Sequence, residues 1–334
     1  MFDQALLKHL NDGEYHLAQE LTLSLEISLV ELVKAIEGFH NLGLEIEFQP
    51  GVGYRLSPDI KLLDKSLIFK NLSEQMQDSF NTFDIHLTID STSSEAMRLA
   101  RAGHQGKAFI VAESQVSGRG RRGRNWVSPM ARNIYMTLVW PIQNKLEGLH
   151  GLSLVTALSL VKALQKSALN GMENLKVKWP NDVWLNNKKL AGILLELYSG
   201  TNGSNQIIVG IGLNVSMPIE NLVNITQAVT DLASHGNIAV DRNVILANLL
   251  QQLNSDIELF MEKGFVDFIV QWQLLDVYHN QEVEVRTGST STLGKVKGVN
   301  QFGALILETN KGCQLIMGGE LAPSVRATDH TGNK

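Results

Sequence analysis

Residues 176–215 have the sequence KVKWPNDVWLNNKKLAGILLELYSGTNGSNQIIVGIGLNV, in which three apolar runs follow one another. The runs cover 177–185, 189–197 and 206–215, and only Asn186-Asn187 and a polar loop at 199–205 separate them. Strands joined by such short connections pair antiparallel, whereas parallel strands need a long crossover. We therefore predict a mixed-sheet α+β fold and exclude a doubly wound nucleotide-binding fold.

Strands and helices alternate on both sides of this stretch. The periodicity of apolar residues predicts strands at 84–90, 108–114 and 133–140. It predicts helices at 66–76, 93–102, 152–169, 226–234, 243–263 and 266–275. Asp241 is the expected N-cap of the helix at 243–263.

The residue patterns at the two ends of the chain differ from those in the centre. Three short helical patterns before Gly43 precede a strand, a glycine turn and a second strand, which is the outline of a winged helix-turn-helix. Short strands between 282 and 316 predict a small β-barrel. We expect a winged-helix-like domain at 1–62, a central domain at 63–275, a barrel at 276–326 and a tail at 327–334.

The composition is that of a folded protein. Hydrophobic residues make up 44% of the 334 residues and charged residues 19%, a mix too apolar for disorder. The single cysteine, Cys313, excludes an intramolecular disulfide and is expected to be a small core residue. The longest apolar stretch, 207–213, is too short to span a bilayer, and Asp3 and Lys8 interrupt the position of a secretion signal. We predict a cytoplasmic protein with no membrane segment.

The net charge of −5 is distributed unevenly. Residues 1–60 contain three strong bases against ten acids, a net charge of −7, which leaves +2 for the rest of the chain. An acidic first segment and a slightly basic body indicate separate units with separate partners.

The loop 118–124, GRGRRGR, follows a predicted strand. Glycines let the backbone turn its N–H groups toward one anion, and arginines add forked donors suited to phosphate or carboxylate. The loop therefore predicts an anion site, which we expect to be mobile when empty because its four arginines repel one another. The alternatives are a solvated basic loop or an arginine–glycine arm for nucleic acid.

The segment 176–184 places an acid beside lysines. Lys176 and Lys178 share a strand face, and Pro180 ends regular pairing so that Asn181 and Asp182 project from an irregular edge. A carboxylate there can hold Mg²⁺ or accept a hydrogen bond from an amine, and a lysine can neutralise a reacting phosphate. The alternative is an exposed hairpin with solvated charges.

Six motifs together carry a resemblance to a known family. They are DSTSSEA at 90–96, AESQ at 112–115, the loop 118–124 with Trp126, KWPND at 178–182, KLAGIL at 189–194 and GIGLNV at 210–215. In this order they resemble the biotin protein ligases, of the type that combines ligase and biotin-operon repressor. That type implies an N-terminal winged helix-turn-helix, a catalytic domain of the biotin/lipoate ligase kind and a C-terminal SH3-like barrel.

The resemblance implies a two-step reaction. Biotin and ATP, with Mg²⁺, form biotinoyl-5'-AMP, and a lysine of the biotin carboxyl carrier protein then takes the biotinoyl group. A second copy of the chain and operator DNA are further partners of the bifunctional type. The helix at 28–40 offers Lys34 and His40 against Glu31 and Glu37, so we predict that DNA binding is weak.

The resemblance also assigns roles to individual residues. Catalysis falls to Lys189, Arg121 and Asp182, of which Asp182 orients the acceptor lysine or binds the metal. The biotin-binding residues are Ser91, Thr92, Ser93, Gln115, Arg119, Gly120, Arg121, Lys189, Gly192 and Leu194. The nucleotide-binding residues are Arg121, Arg124, Trp126, Lys178, Asn181, Lys189 and Asn214.

One departure from the family pattern concerns the biotin site. The family's Ser-Thr-Asn is Ser91-Thr92-Ser93 here, which replaces an amide by a shorter hydroxyl. Two alternative functions stay open at this point: repression as the primary role, and a ligase for lipoate, whose enzymes share the catalytic fold.

Overall fold

The computed structural model describes residues 2–142, 149–200, 204–222, 225, 227–237 and 240–323. The predicted tail at 327–334, the centre of the predicted loop at 199–205 and Thr226 lie outside these ranges. Among the residues described, no helix combines the length and apolar character needed to cross a bilayer.

The N-terminal unit contains three helices and a two-stranded antiparallel sheet, as predicted. These elements are α1 (Phe2–Leu10), α2 (Ala18–Leu25), α3 (Leu29–Asn41), β1 (Ile46–Gln49) and β2 (Gly53–Leu56). Ser28 caps α3 by accepting a hydrogen bond from the Glu31 backbone N–H, while the Glu31 carboxylate accepts one from the Ser28 N–H.

The core of this unit is shared with the central domain. Leucines of the three helices pack around Phe39, and the cluster includes Met130 and Ala131, which belong to the segment after the glycine–arginine loop. Met130 and Ala131 are 6% and 7% exposed. The N-terminal unit therefore packs directly on a segment that begins at the candidate site.

The central domain is built on a seven-stranded mixed sheet. Its helices are α4 (Lys65–Lys70), α5 (Glu74–Asp78), α6 (Thr92–Arg101), α7 (Leu149–Lys166), α8 (Ile219–Leu222), α9 (Arg242–Lys263) and α10 (Ile269–Leu275). Its strands are β3 (Phe80–Ile89), β4 (Lys107–Gln115), β5 (Ile134–Ile142), β6 (Leu175–Lys178), β7 (Asp182–Leu185), β8 (Lys188–Ser199) and β9 (Asn205–Leu213).

The strand order is β3-β4-β5-β9-β8-β7-β6. Only β3 and β4 pair in parallel, and every other neighbouring pair is antiparallel, which confirms the predicted mixed sheet. Side chains alternate along β4: Phe109 and Val111 lie in the large core with α7 and α9, while Ala108 and Ile110 contact alanines of α6. The sheet is therefore covered on both faces.

The prediction of a single strand at 177–185 is wrong. Residues 177–185 form two strands, β6 and β7, which fold back on each other as an antiparallel hairpin. Pro180 lies between them and has no N–H for a ladder hydrogen bond. Asn186 and Asn187 then turn the chain from β7 into β8 with positive φ at both residues, as a tight hairpin requires.

The helix predicted at 226–234 is also wrong. In the residues described there, only one 3-10 turn forms, at Ala233–His235. The preceding residues pair with the start of β8 instead: Lys189 N–H donates to Ala228 O and Thr230 N–H donates to Lys189 O. The helix predicted at 66–76 is two short helices, α4 and α5, and the one predicted at 266–275 begins with a 3-10 turn at Val266–Phe268. The remaining predicted helices are confirmed, and Asp241 caps α9 as expected.

The C-terminal region is an antiparallel sheet of five strands in the order β13-β12-β11-β10-β14. Its strands are β10 (Glu282–Thr287), β11 (Thr290–Val299), β12 (Leu305–Thr309), β13 (Gly312–Ile316) and β14 (Glu320–Pro323). The predicted barrel is open within the described residues, because β13 and β14 form its edges. Cys313 is exposed, so its predicted place in the core is wrong.

The C-terminal sheet shares the large hydrophobic core with the central domain, and two further contacts add to this junction. The buried Trp179 donates its indole N–H to Gly303 O at 3.1 Å. Asp276, just before β10, forms a parallel bridge with Val177 of β6. The junction therefore includes the KWPND motif itself.

We expect Asp276→Asn to change how stability depends on pH. Burial raises the pKa of Asp276 from 3.8 to about 7, although the Tyr278 N–H and Lys176 oppose the shift. Between pH 3.8 and about 7 the folded chain holds a proton on Asp276 that the unfolded chain has lost. The free energy of unfolding of the wild type therefore falls as pH rises toward 7 and is constant above it. Asparagine removes this slope. Urea unfolding should show the variant gaining about 2 kcal/mol on wild type between pH 5.5 and 8; a constant difference contradicts the prediction.

Candidate active site

A cavity opens between the glycine–arginine loop (118–124) and the central sheet, and the space within it, including the part open to solvent, is about 430 Å³. Eleven of the predicted site residues line it: Thr92, Ser93, Gln115, Arg119, Gly120, Arg121, Trp126, Asn181, Lys189, Gly192 and Leu194. Motifs that are distant in sequence therefore meet around one volume.

Five predicted residues do not line the cavity but contact residues near it. Ser91 is the buried N-cap residue of α6, and Asn214 is buried with its amide nitrogen donating to Thr230 O. Arg124 forms an ion pair with Glu320, and the ammonium of Lys178 lies 4.6 Å from the Trp184 ring centroid. Asp182 forms an ion pair with Lys189. Because these five residues do not line the cavity, its geometry does not place them in direct contact with a ligand.

Five lining residues had no predicted role, although all but Met136 belong to the motifs quoted above: Met136, Ile193, Gly210, Ile211 and Gly212. The apolar ones look like any other sheet residues. The glycines carried a usable signal, because glycine inside an apolar strand indicates a close approach of another group.

For Gly212, and for the predicted Gly192, that group is Trp126. Gly192 and Gly212 are cross-strand partners on β8 and β9, and the Trp126 indole packs against both. A β-carbon on Gly192 would lie 2.9 Å from the indole, and one on Gly212 would overlap it. The buried indole N–H has no hydrogen-bond partner. The two glycines thus form a flat surface that holds an aromatic ring inside the cavity.

Gly212→Ala is expected to lower the rate at which the site activates its ligand with a nucleotide by at least about tenfold. The new methyl must displace Trp126, and overpacking of this kind costs roughly 1–3 kcal/mol. The measurement is the nucleotide-dependent activity proposed below. Gly38→Ala is the matched control, since a β-carbon there meets nothing within 4 Å. Equal activity of the two variants would show that Trp126 need not stay where it is.

The glycine–arginine loop closes on itself. Gly120 N–H donates to Arg124 O at 2.7 Å, and Trp126 N–H donates to Gly118 O at 2.8 Å. Arg121–Gly123 form a single 3-10 turn, in which Arg122 has a left-handed φ of 57°. The loop is a compact hairpin that ends at the cavity.

The arginines of this loop have partners outside it. Arg119 pairs with Glu196, Arg121 donates to Asn181 Oδ1 at 2.8 Å, and Arg124 lies 2.6 Å from Glu320 of β14. These contacts offset the mutual repulsion on which the expectation of a mobile empty loop rested. They also bring the C-terminal sheet to the edge of the site through Glu320, which nothing in the sequence indicated.

The site has an excess of positive charge. Four arginines of the loop with Lys178 and Lys189 face the three carboxylates Asp182, Glu196 and Glu320. Burial lowers the pKa of Lys178 and of Arg121; neighbouring cations add to this effect, and Asp182 and Glu320 oppose it. An anion bound here would relieve the cost of burying these cations.

Lys189 is the cation most directly placed in the cavity. Its ammonium lies 3.0 Å from Asp182 Oδ1 and 5.4 Å from the Trp126 ring centroid, and its side chain is 14% exposed. Asp182 Oδ1 nevertheless accepts no hydrogen bond in this geometry. The lysine can therefore turn toward an anion without breaking a well-formed hydrogen bond.

The opposite end of the cavity is polar but uncharged. Thr92 donates from its N–H and from Oγ1 to Gln115 Oε1, at 2.9 and 3.2 Å. Thr137 Oγ1 lies 2.9 Å from Thr92 Oγ1, and Ser93 Oγ lies 3.2 Å from Thr137 Oγ1. The serine that replaces the family's asparagine thus lies in a buried hydroxyl cluster. It still lines the cavity.

A mixed sheet that carries a pocket with a neutral polar end and a cationic mouth defines a class of protein. The neutral end suits a ring with amide-like groups, and the mouth suits a carboxylate together with a phosphate. This is the arrangement of a ligase that activates a small acid with a nucleotide.

Comparison with known proteins agrees with this class. Residues 87–214 match the biotin/lipoate A/B protein ligase family, and residues 278–321 match the biotin protein ligase C terminal domain. The bifunctional ligase/repressor BirA of Salmonella typhimurium is 35% identical over 317 residues, which are 95% of this chain and 96% of the relative. The biotin–[acetyl-CoA-carboxylase] ligase of Paracoccus denitrificans is 36% identical over 238 residues, 70% of this chain and 96% of that protein.

The chain belongs to the biotin protein ligase family. Among solved structures, the biotin protein ligase of Aquifex aeolicus in complex with biotin and ATP superposes with a TM-score of 0.61 at 30% identity. The match covers 73% of this chain and 98% of that one.

Proposed function

We propose that this protein activates biotin with ATP and transfers it to a protein lysine. In the first step a biotin carboxylate oxygen attacks the α-phosphorus of ATP. The bond from that phosphorus to the bridging oxygen breaks, pyrophosphate leaves, and biotinoyl-5'-AMP remains bound. The observation that carries this proposal is one cavity with a neutral hydrogen-bonding end and a cationic mouth.

In the second step the neutral ε-amine of a lysine on the biotin carboxyl carrier protein attacks the acyl carbon. An amide bond forms, the acyl–oxygen bond to AMP breaks, and the amine gives up one proton. Asp182 is the proposed group for orienting the incoming amine. It already holds an ammonium, that of Lys189, at 3.0 Å.

The positive charge at the mouth of the cavity indicates which residues contact which part of biotin and ATP. Two anions must meet in the first step, so Arg121 and Lys189 are proposed to neutralise them, with Arg119 at the valeryl chain and Arg124 nearer the pyrophosphate. Thr92, Ser93 and Gln115 would bind the ureido ring, with Gly120, Gly192 and Leu194 along the chain of biotin. Trp126 and Asn181 would lie beside the nucleotide.

Mg²⁺ is proposed to enter as part of the substrate MgATP. Within the ranges that the structure describes, no group of three or more His, Cys, Asp or Glu side chains could hold a metal ion. Asp182 alone is a single ligand, and Mg²⁺ is commonly held by one or two carboxylates plus substrate phosphates. The assignment of Asp182 to the metal therefore depends on the bound nucleotide.

The test is exchange of radiolabelled pyrophosphate into ATP with and without biotin. We expect exchange only when biotin is present, and no exchange with lipoate in its place. Transfer of labelled biotin to a carrier domain, and no transfer to a carrier whose acceptor lysine is arginine, tests the second step. A protein that catalyses neither reaction under saturating biotin and MgATP is not a biotin ligase.

We propose for the N-terminal unit a winged helix-turn-helix and for the C-terminal sheet an SH3-like barrel, with the domain boundaries predicted above. The relative named as a ligase/repressor matches over 95% of this chain, so repression is a second candidate function. A homodimer and operator DNA would be its partners. The cytoplasm is the proposed location for both functions.

The surface of α3 argues that operator binding is weak. Leu29, Val30 and Val33 are 56%, 63% and 40% exposed, where a DNA-reading helix needs polar side chains. His40 is engaged with the backbone of Ile46, and Arg55 is paired with Glu47. We expect biotinoyl-adenylate to leave affinity for a palindromic operator near that for random DNA at 150 mM salt. Specific, ligand-dependent binding in a gel shift would establish the repressor role.

A further inference from the structure

We propose that Ser128 is a positioning residue that fixes the direction of the hydrogen bonds in the biotin site. Ser128 does not line the cavity, but its hydroxyl joins two groups that do. Gln115 Nε2 lies 3.0 Å from Ser128 Oγ, and Ser128 Oγ lies 3.1 Å from the backbone oxygen of Trp126. This inference rests on the proposed function of the cavity.

The hydrogen bonds at this end of the cavity form one chain with a single direction. A carbonyl oxygen can only accept, so the Ser128 hydroxyl must donate its one hydrogen to Trp126 O. Its lone pairs are then left for Gln115, which must present its amide nitrogen. Gln115 Oε1 then faces Thr92, whose backbone N–H can only donate and requires the same orientation, so Ser128 and Thr92 hold the two ends of the amide.

The direction of the hydrogen bonds from Thr92 to Ser93 follows in the same way. Thr92 donates its hydroxyl hydrogen to Gln115, so it accepts from Thr137, and Thr137 accepts from Ser93. The chain thus runs from Ser93 to Trp126 O, and Ser128 is its last side chain. Hydrogen bonds in such a chain polarise one another, so its end affects the whole.

This direction decides what the cavity offers a ligand. Ser93 has used its hydrogen and presents an acceptor, while the second hydrogen on Gln115 Nε2 remains as a donor. One donor beside one acceptor complements a cyclic urea, which carries a carbonyl oxygen and N–H groups. Without Ser128, the nitrogen of Gln115 loses its fixed acceptor.

The position of Ser128 is set independently of any ligand. Ser114 Oγ donates to the Ser128 carbonyl oxygen at 2.9 Å, and the buried Tyr135 hydroxyl donates to Pro129 O at 2.9 Å. Two residues further on, Met130 lies in the core of the N-terminal unit. Gly118 leaves the space for the hydroxyl, since a β-carbon there would be 2.9 Å from Ser128 Oγ.

The experiment measures biotin binding by calorimetry and the kcat and KM of pyrophosphate exchange. Ser128→Ala is expected to weaken biotin binding by about five- to tenfold, the effect of one buried hydrogen bond. The KM for ATP and kcat should stay within twofold of wild type. Ser79→Ala is the matched control, because it removes a serine hydroxyl that donates to a backbone oxygen, Met76 O at 2.7 Å, and Ser79 does not line the cavity.

A double-mutant cycle separates positioning from general loosening. In a Gln115→Ala background, Ser128→Ala should have less than a twofold effect on biotin binding, because the group it positions is gone. The inference is overturned if the two substitutions act additively, if Ser79→Ala weakens biotin binding as much as Ser128→Ala, or if Ser128→Ala leaves biotin binding unchanged. Wild-type protein that binds no biotin would instead contradict the proposed function, and the inference with it.

Discussion

Lys189→Ala is expected to lower kcat/KM for biotin-dependent pyrophosphate exchange by about 100- to 1,000-fold, the effect of removing one preorganised charge from a developing anion. The Lys189 ammonium is the cation that the fold places inside the cavity, beside Asp182 and Trp126. Its removal leaves Asp182 unpaired in a site that must accept two anions. The loss therefore includes a repulsion as well as a missing attraction.

Lys188→Ala provides the matched control for this prediction. Lys188 is the preceding residue of β8 and is exposed, so the variant removes the same charge from the same strand without touching the cavity. It should retain wild-type activity within about twofold, because exposed charges are well screened. If Lys189→Ala also stays within threefold of wild type, Lys189 does not stabilise the reacting anions.

Arg242→Met is expected to destabilise the fold by about 3–5 kcal/mol, because it leaves the Glu113 carboxylate buried without its partner. The two side chains are 5% and 3% exposed and lie 2.6 Å apart. Arg242 also donates to Asn133 O and to Lys61 O. Thermal unfolding should show a Tm lower by roughly 10 °C.

The Arg242–Glu113 pair also binds the connection between the N-terminal unit and the central domain, so proteolysis there is a second measurement. Lys61 and Leu63 belong to the connection between the N-terminal unit and the central domain, and Leu63 N–H donates to Glu113. We expect limited proteolysis near residues 60–64 to accelerate in Arg242→Met.

Two variants control for this effect. Glu113→Gln combined with Arg242→Met should recover part of the loss, because no buried charge remains. Lys263→Met, which removes the exposed 3.8 Å pair with Asp267, should cost under about 1 kcal/mol. Equal Tm values for Arg242→Met and Lys263→Met would contradict the prediction.

Local patterns in the sequence were sufficient for most of the architecture. Short connections predicted the antiparallel strands, and a glycine–arginine loop beside a lysine-rich strand predicted an anion site. The prediction failed at 226–234, where apolar residues at helical spacing pair with β8. It also failed at Cys313 and within 177–185. At 226–234 a strand from elsewhere in the chain outweighed the local helical preference, whereas within 177–185 the cause is local, because Pro180 separates the two strands of a hairpin.

The sequence by itself determined the family, the cationic loop and eleven of the residues around the cavity, because these depend on residue types in fixed local order. Only the tertiary structure decided which partners they have. Arg124 meets Glu320 of the last strand, Ser128 meets Gln115, and Arg242 meets Glu113 from 129 positions away. Such pairs have no spacing rule, since folding brings together groups whose separation along the chain is arbitrary.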